Sequence, residues 1–233
     1  MKNIERYYKN TADAKPNYTV KKFIELNVEP GNAIELGCGA GRDTVCLIKN
    51  GWNVLAIDRE DVESRIAAKL EAEELKQFKF LKQKFEDIEL EKNNLVVANF
   101  SIPFCNKNNF KKLWNKIDDS ILKDGYFVGN FFGENDEWKI TKEEMTFLTK
   151  EQVMELFSNF EIIELKEVEK DGITGFGQKK HWHVFNVIAK KKWKVNLLIT
   201  LRWVWNNFAL QFWFNRYSLS GCSDFLLSSN WLL

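Results

Sequence analysis

Ala33-Ile-Glu-Leu-Gly-Cys-Gly-Ala-Gly-Arg-Asp-Thr44 is the stretch that decides how this 233-residue chain folds. Ala33 to Leu36 is short and mostly apolar, as a buried strand is, and it runs straight into three alternating glycines, Gly37, Gly39 and Gly41. Arg42 to Asn50 then reads as a helix that Gly51 ends. Glycine lets the backbone turn tightly and brings a ligand against the main chain, while the amides at the helix start are free to hydrogen-bond to it.

The next strand, Val54 to Asp58, ends on a carboxylate 17 residues after Gly41. An acid there can accept hydrogen bonds from both hydroxyls of a ribose. The dinucleotide fingerprint G-x-G-x-x-G asks for glycine at position 42, and this chain has Arg42, so a nicotinamide dinucleotide becomes the runner-up ligand.

Working outward, Phe78 to Leu81, Leu95 to Asn99 and Tyr126 to Phe131 are further apolar strands. Helices are expected over Val62 to Gln77, rich in Ala, Leu, Glu and Lys, and over Asn109 to Leu122, with Phe110, Leu113, Trp114, Ile117 and Ile121 at helical spacing. Thr149 and Gln152 form a capping-box pair that predicts a helix to about Asn159. Phe160 to Val168 and His181 to Ala189 alternate as two strands, with the Gly-rich Asp171 to Gly177 as their hairpin loop. Strand and helix thus interleave in an α/β sheet that closes on an antiparallel pair.

Composition excludes several classes. Lys plus Arg number 34 and Asp plus Glu 33, so no strong field exists to hold nucleic acid. Four cysteines, Cys38, Cys46, Cys105 and Cys222, have no C-x-x-C spacing, which argues against a zinc site and a secreted disulfide framework. Met1 to Lys9 carries charges where a secretory signal needs an apolar run, so a cytoplasmic location is expected.

Glu35-x-Gly-Cys-Gly-x-Gly41 resembles motif I of class I S-adenosylmethionine-dependent methyltransferases. Over residues 5 to 191 the chain looks like the tellurite-resistance methyltransferase group, through Asn99-Phe-Ser-Ile-Pro-Phe-Cys105, Gly129-Asn-Phe-Phe-Gly-Glu-Asn-Asp-Glu-Trp138, Met145-Thr-Phe-Leu-Thr-Lys150 and Lys180-His-Trp-His-Val-Phe185. The resemblance implies a Rossmann-like sheet over residues 1–192, S-adenosyl-L-methionine as cofactor, and methyl transfer to a small molecule or a tellurite-like oxyanion. It also implies roles. Glu35 orients the glycine loop near the methionine portion, Gly37, Cys38, Gly39 and Gly41 line it, and Asp58 takes the ribose. In Gln83-Lys-Phe-Glu-Asp87, Phe85, Glu86 and Asp87 are candidates for the adenine, with a solvated acidic loop as the competing reading. Asn99 and Phe100 belong to the wall between cofactor and acceptor.

Methyl transfer from a sulfonium is an in-line displacement that asks mainly for alignment and exclusion of water, so no catalytic triad is expected. His181 and His183, flanking Trp182, are the candidate catalytic groups, to bind an anion or take a proton; a partly buried pair packed beside the hairpin is the competing reading. Tyr7 and Tyr8, ahead of a Lys15-Pro16 turn, are candidates for a lid over the acceptor. Phe104 and Trp138 are candidate acceptor-binding residues, with Phe132 and Asp136 in the same loop region after the fifth strand. A module that binds the nucleoside without turnover remains the alternative from another class, since fold does not fix chemistry.

From Trp193 the composition changes: Val195 to Phe214 is aromatic and apolar with Arg202 as its sole charge. Residues 193–233 are therefore expected to form a separate aromatic tail. Membrane-interface binding, dimerisation and a non-homologous extension are its three readings, and Arg202, Asn206, Asn207 and Gln211 weaken the membrane one. Oligomeric state is left open.

Overall fold

A computed structural model describes residues 2–84 and 87–192; the aromatic tail, and the expectations attached to it, lie outside the described residues. Strands β1 (Asn32–Leu36), β2 (Asn53–Asp58), β3 (Phe78–Lys82), β4 (Asn93–Ala98), β5 (Ile121–Gly133), β6 (Phe147–Leu148), β7 (Phe160–Ile173) and β8 (Lys179–Lys191) form one sheet, ordered β3-β2-β1-β4-β5-β8-β7, with β6 paired to β5 off that path. β1 to β5 are parallel, and β8 is antiparallel to both β5 and β7. The expected α/β sheet with a terminal antiparallel hairpin is therefore present.

Alternation along β1 explains the two cores. Ile34 and Leu36 face a cluster built on α5 (Lys107–Ser120) and α7 (Lys150–Leu156), where Trp114 packs its ring 5.2 Å from Phe127 and 5.0 Å from Phe157. Ala33 faces the other cluster, with Val20 and Phe23 of α2 (Tyr18–Ile24), Leu47 of α3 (Arg42–Lys49) and Ile66 of α4 (Glu63–Ala67). Glu35 shares that second face, which buries a carboxylate next to α3. The expected capping box is present: Thr149 Oγ1 accepts from Gln152 N, and Gln152 Oε1 from Thr149 N.

The structure corrects several element boundaries. The expected helix over 62–77 is broken into α4 and a single 3-10 turn at Glu74–Gln77. Helix-favouring composition loses to tertiary contacts, because Leu70 turns into the core and Lys69 Nζ donates to Ala12 O at 2.7 Å and Ala40 O at 2.9 Å. α5 stops at Ser120 because Ile121 already pairs with Asn93, so β5 starts earlier than its apolar run. The terminal strands reach Ile173 and resume at Lys179, which shortens the hairpin loop. Helices α1 (Lys2–Thr11), α2 and α6 (Trp138–Thr141) add to the expected elements. Among the described residues no helix is long and apolar enough to cross a membrane.

Candidate active site

The three glycines sit where β1 ends, and each has positive φ: 72° at Gly37, 54° at Gly39 and 77° at Gly41. Their reasons differ. A Cβ on Gly37 would lie 2.6 Å from Ser101 Cβ, and one on Gly41 would lie 2.5 Å from Ile66 Cγ1, so close packing requires both. A Cβ on Gly39 would meet only Tyr7, with its oxygen at 3.5 Å. Gly39 is thus the position where the loop faces Tyr7 of α1 without close packing. Asp58 Oδ2 accepts from Gly39 N at 2.9 Å and Oδ1 from Glu60 N at 3.0 Å, which fixes the carboxylate at the tip of β2. Gln83 N donates to Asp58 O at 2.8 Å, and Gln83 Nε2 reaches Asp87 O at 3.4 Å, so the Asp87 loop lies alongside. Phe85 and Glu86 lie outside the described residues. Cys38 is buried, and burial pushes its thiol well above the usual range.

Behind the loop lies a buried polar network. Asp43 accepts from Asn17 N and Nδ2, both at 2.7 Å, and from Asn99 Nδ2 at 2.9 Å. Asn99 Oδ1 accepts from Thr19 Oγ1 at 2.7 Å and Asn130 Nδ2 at 3.3 Å, and Asn130 Oδ1 accepts from Phe100 N at 2.8 Å. Arg42 Nη2 closes the set on Asn17 Oδ1 at 2.5 Å. Glu35 accepts a short hydrogen bond from Thr44 Oγ1; burial, then the Asp43 charge, hold its carboxyl well above the usual carboxylate range. Satisfied networks of this kind rigidify what they span, here α2, α3 and the ends of β4 and β5.

Tyr7 and Tyr8 of α1 close the other side. Tyr7 stacks near Phe176 at 5.4 Å, and Asn10 Nδ2 donates to Gly175 O at 3.1 Å, so α1 rests on the hairpin loop as well as over Gly39. Burial raises the phenol pKa of both tyrosines. Tyr8 is part of the core, which leaves Tyr7 as the one of the pair that faces the glycine loop.

Past the carboxyl ends of β4 and β5 stands an aromatic wall. Phe100, Phe104, Phe132, Trp138 and Trp182 lie with ring centroids 5.5 to 6.2 Å apart. Phe100 has φ of 50°, a left-handed conformation that its N–H bond to Asn130 and its ring contacts hold in place. Lys180 is buried within the wall, its Nζ 3.8 Å from the Trp182 centroid, 4.5 Å from Trp138 and 5.3 Å from Phe132. Its charge meets Asp136 Oδ1 at 2.5 Å, and Asp136 also accepts from Trp138 N and His183 N, which ties the loop after β5 to β8.

Neither histidine joins this wall. Alternation on β8 sends Trp182 to it and His181 and His183 to the opposite face. His183 is buried; its Nδ1 accepts from Asn135 N at 3.1 Å and its Nε2 faces Glu167 Oε1 at 3.0 Å, so both ring nitrogens have partners within the chain. His181 is half-exposed between Asp171 and Glu169, and those hydrogen bonds raise its pKa. Among the described residues no group of His, Cys, Asp and Glu is placed to hold a metal ion.

A family model described as tellurite resistance protein TehB matches residues 2–171. The chain belongs to the TehB family. Its fold is the Rossmann-like fold of the methyltransferases among its structural neighbours. TehB from Haemophilus influenzae has a similar structure, with TM-score 0.61 and 17% identity over 74% of this chain. That alignment covers 61% of the Haemophilus protein, so this TehB-family chain spans about three fifths of its relative's length. Magnesium protoporphyrin IX methyltransferase from Synechocystis PCC 6803, solved with S-adenosylhomocysteine bound, gives TM-score 0.60 and 13% identity over 81% of this chain and 94% of that one. The 1,6-didemethyltoxoflavin-N1-methyltransferase of Burkholderia thailandensis, solved with its acceptor and S-adenosylhomocysteine, gives 0.57 and 15% over 75% and 76%. No curated protein matches the sequence.

The geometry fits the cofactor of the TehB family. Ser101 Oγ is buried beside Gly37 with no hydrogen-bond partner among the described residues, an orphaned polar atom at the glycine loop. Asp43, Asn17, Thr19 and Asn130, and Lys180 with Trp182, were not among the candidates drawn from the sequence. Asn130 and Trp182 lay inside quoted segments, yet only pairing across the sheet reveals what they touch.

Proposed function

We propose that this chain transfers the S-methyl group of S-adenosylmethionine to a small-molecule acceptor held against the wall of Phe100, Phe104, Phe132, Trp138 and Trp182. The observation that carries this reading is Asp58, fixed at the tip of β2 with an oxygen 2.9 Å from Gly39 N, directly beside the one loop glycine where an added Cβ would make only an ordinary contact, with the Tyr7 ring. In this reading Asp58 takes the ribose hydroxyls, Asp87 and its neighbours Phe85 and Glu86 attend the adenine, and Glu35, Cys38 and the glycines line the methionine side. Asn99 acts by positioning: its amide links Asp43 to Thr19 and Asn130, which aims Phe100 into the wall.

The bound cofactor supplies a methyl group already activated on a sulfonium. The chain's own work is then to orient and to exclude water, which suits a wall of rings. Tyr7 and α1 cover the loop, and no general base is assigned to His181 or His183. Among the described residues Cys38 and Cys46 are free thiols, which supports a reducing location such as the cytoplasm. Residues 193–233 are proposed as a unit distinct from the catalytic residues 1–192.

The test is transfer of labelled methyl from S-adenosylmethionine by the full chain to a panel of small aromatic, amine and oxyanion acceptors, tellurite among them. Label in any one product supports the reading. Cofactor binding with no transfer to any acceptor favours the nucleoside-binding module instead.

A further inference from the structure

Among the described residues two ammonium groups face the aromatic wall, and only one is answered by a carboxylate. Lys180 is sealed in, with 1% of its side chain exposed, and Asp136 neutralises it. Lys142, just past α6, is half-buried and holds its Nζ 4.0 Å from the Trp138 centroid and 5.9 Å from Phe104. It forms no ion pair with any carboxylate among the described residues, and its neighbours Glu143 and Glu144 are exposed. Burial lowers the Lys180 pKa, Asp136 opposes that shift, and the like charge of Lys142 adds to the lowering, so the two cations lie close enough to feel each other. Among the described residues the wall therefore carries one positive charge without an ion-pair partner on the side where Phe104 is 45% exposed.

A long lysine side chain loses rotamer freedom when it is held over two rings, and the contact with those rings does not use its remaining donors. An anion would use them. The rest of the wall narrows the kind of anion. Aromatic faces carry negative potential, so a small hydrated oxyanion gains nothing from Phe104, whereas a flat ring stacks on its exposed surface and buries its apolar area.

We propose that the acceptor is an aromatic or heteroaromatic anion whose ring lies against the exposed Phe104 and whose negative group is bound by Lys142 Nζ, which itself covers Trp138. Lys142 then sets specificity by charge, and the rings set it by shape. The inference rests on the acceptor lying at this wall, as proposed above.

The experiment is calorimetric titration of the full chain, first with S-adenosylhomocysteine and then, at saturation, with indole-3-carboxylate, its neutral counterpart indole-3-carboxamide, and tellurite. The carboxylate is expected to bind roughly ten-fold more tightly than the amide, the discrimination of one charge-assisted contact. Lys142→Gln should erase that preference and leave S-adenosylhomocysteine affinity as it was, and Phe104→Ala should weaken both indoles. Equal binding of the two indoles, a preference that survives in Lys142→Gln, or binding of tellurite and neither indole overturns the proposal while leaving the cofactor reading intact. Binding of no probe by the loaded protein overturns it too. Failure to bind S-adenosylhomocysteine at the first step overturns the cofactor reading as well, so the two failures are distinguishable.

Discussion

The glycine-loop end and the aromatic wall are built on opposite principles although both stand at the carboxyl edge of the same sheet. At the glycine loop almost every polar side chain is committed within the chain: Asp43 takes three donors, Asn99 bridges three partners, and Asp58 holds two backbone amides. At the wall five rings pack edge to face or tilted around one buried ion pair, and a second lysine stands without an ion-paired acid among the described residues. Hydrogen bonds fix atoms to within tenths of an ångström, which suits a reagent that is always the same molecule. Ring surfaces are forgiving in direction and select by shape and charge, which suits an acceptor that differs among enzymes of one fold.

The contrast breaks most sharply at the ion pair. Lys180→Met leaves the Asp136 carboxylate buried with only the Trp138 and His183 amides, and stability in urea should fall by about 3–5 kcal/mol. The double variant Lys180→Met, Asp136→Asn should recover most of that loss; a near-neutral single variant would mean that the pair does not organise the wall. At the other end, Asp58→Ala should weaken S-adenosylhomocysteine binding by about 100-fold, the value of two charge-assisted hydrogen bonds to a ribose. Retained affinity would move the nucleoside elsewhere.

Smaller effects sharpen the picture of the loop itself. Gly41→Ala drives a Cβ into Ile66 and should cost about 2–3 kcal/mol, whereas Gly39→Ala makes only an ordinary contact with Tyr7 and should cost about 1 kcal/mol for its left-handed backbone. Urea melts that rank the two the other way would reverse the roles assigned to these glycines. Glu35→Gln probes burial. Because the Glu35 pKa is raised above its ordinary 4.5, its favourable contribution is present below that pH and is lost as pH climbs through the raised value. The variant, which keeps an acceptor for Thr44, should therefore gain on the natural protein as pH rises above 4.5; parallel urea midpoints across pH would show that Glu35 ionises freely.

The same contrast explains what the sequence reveals. A glycine loop is local: β1, three glycines, the start of α3 and an acid at the end of β2 occupy residues 32 to 58, and all of them are legible by spacing. The network behind the loop joins residues 26, 56 and 80 positions apart, and no spacing rule connects Asn17 to Asp43, Asp43 to Asn99 or Thr19 to Asn99. Phe100, Phe104 and Trp138 are legible only as positions after strand ends, and their partners Lys180 and Trp182 arrive from β8. The histidines draw attention in the sequence because they are scarce, yet the alternation that puts Trp182 on the wall puts them on the other face. The expected helix over 62–77 shows composition losing to contacts, since Lys69 spans from Ala12 to Ala40 and Leu70 is drawn into the core.

Calorimetric titration of the full chain with S-adenosylmethionine, S-adenosylhomocysteine and NAD tests the central claim most directly. Micromolar binding of both sulfur nucleosides, with no heat from NAD, is the predicted result. Folded protein that binds neither sulfur nucleoside, or that binds NAD in their place, would contradict the account.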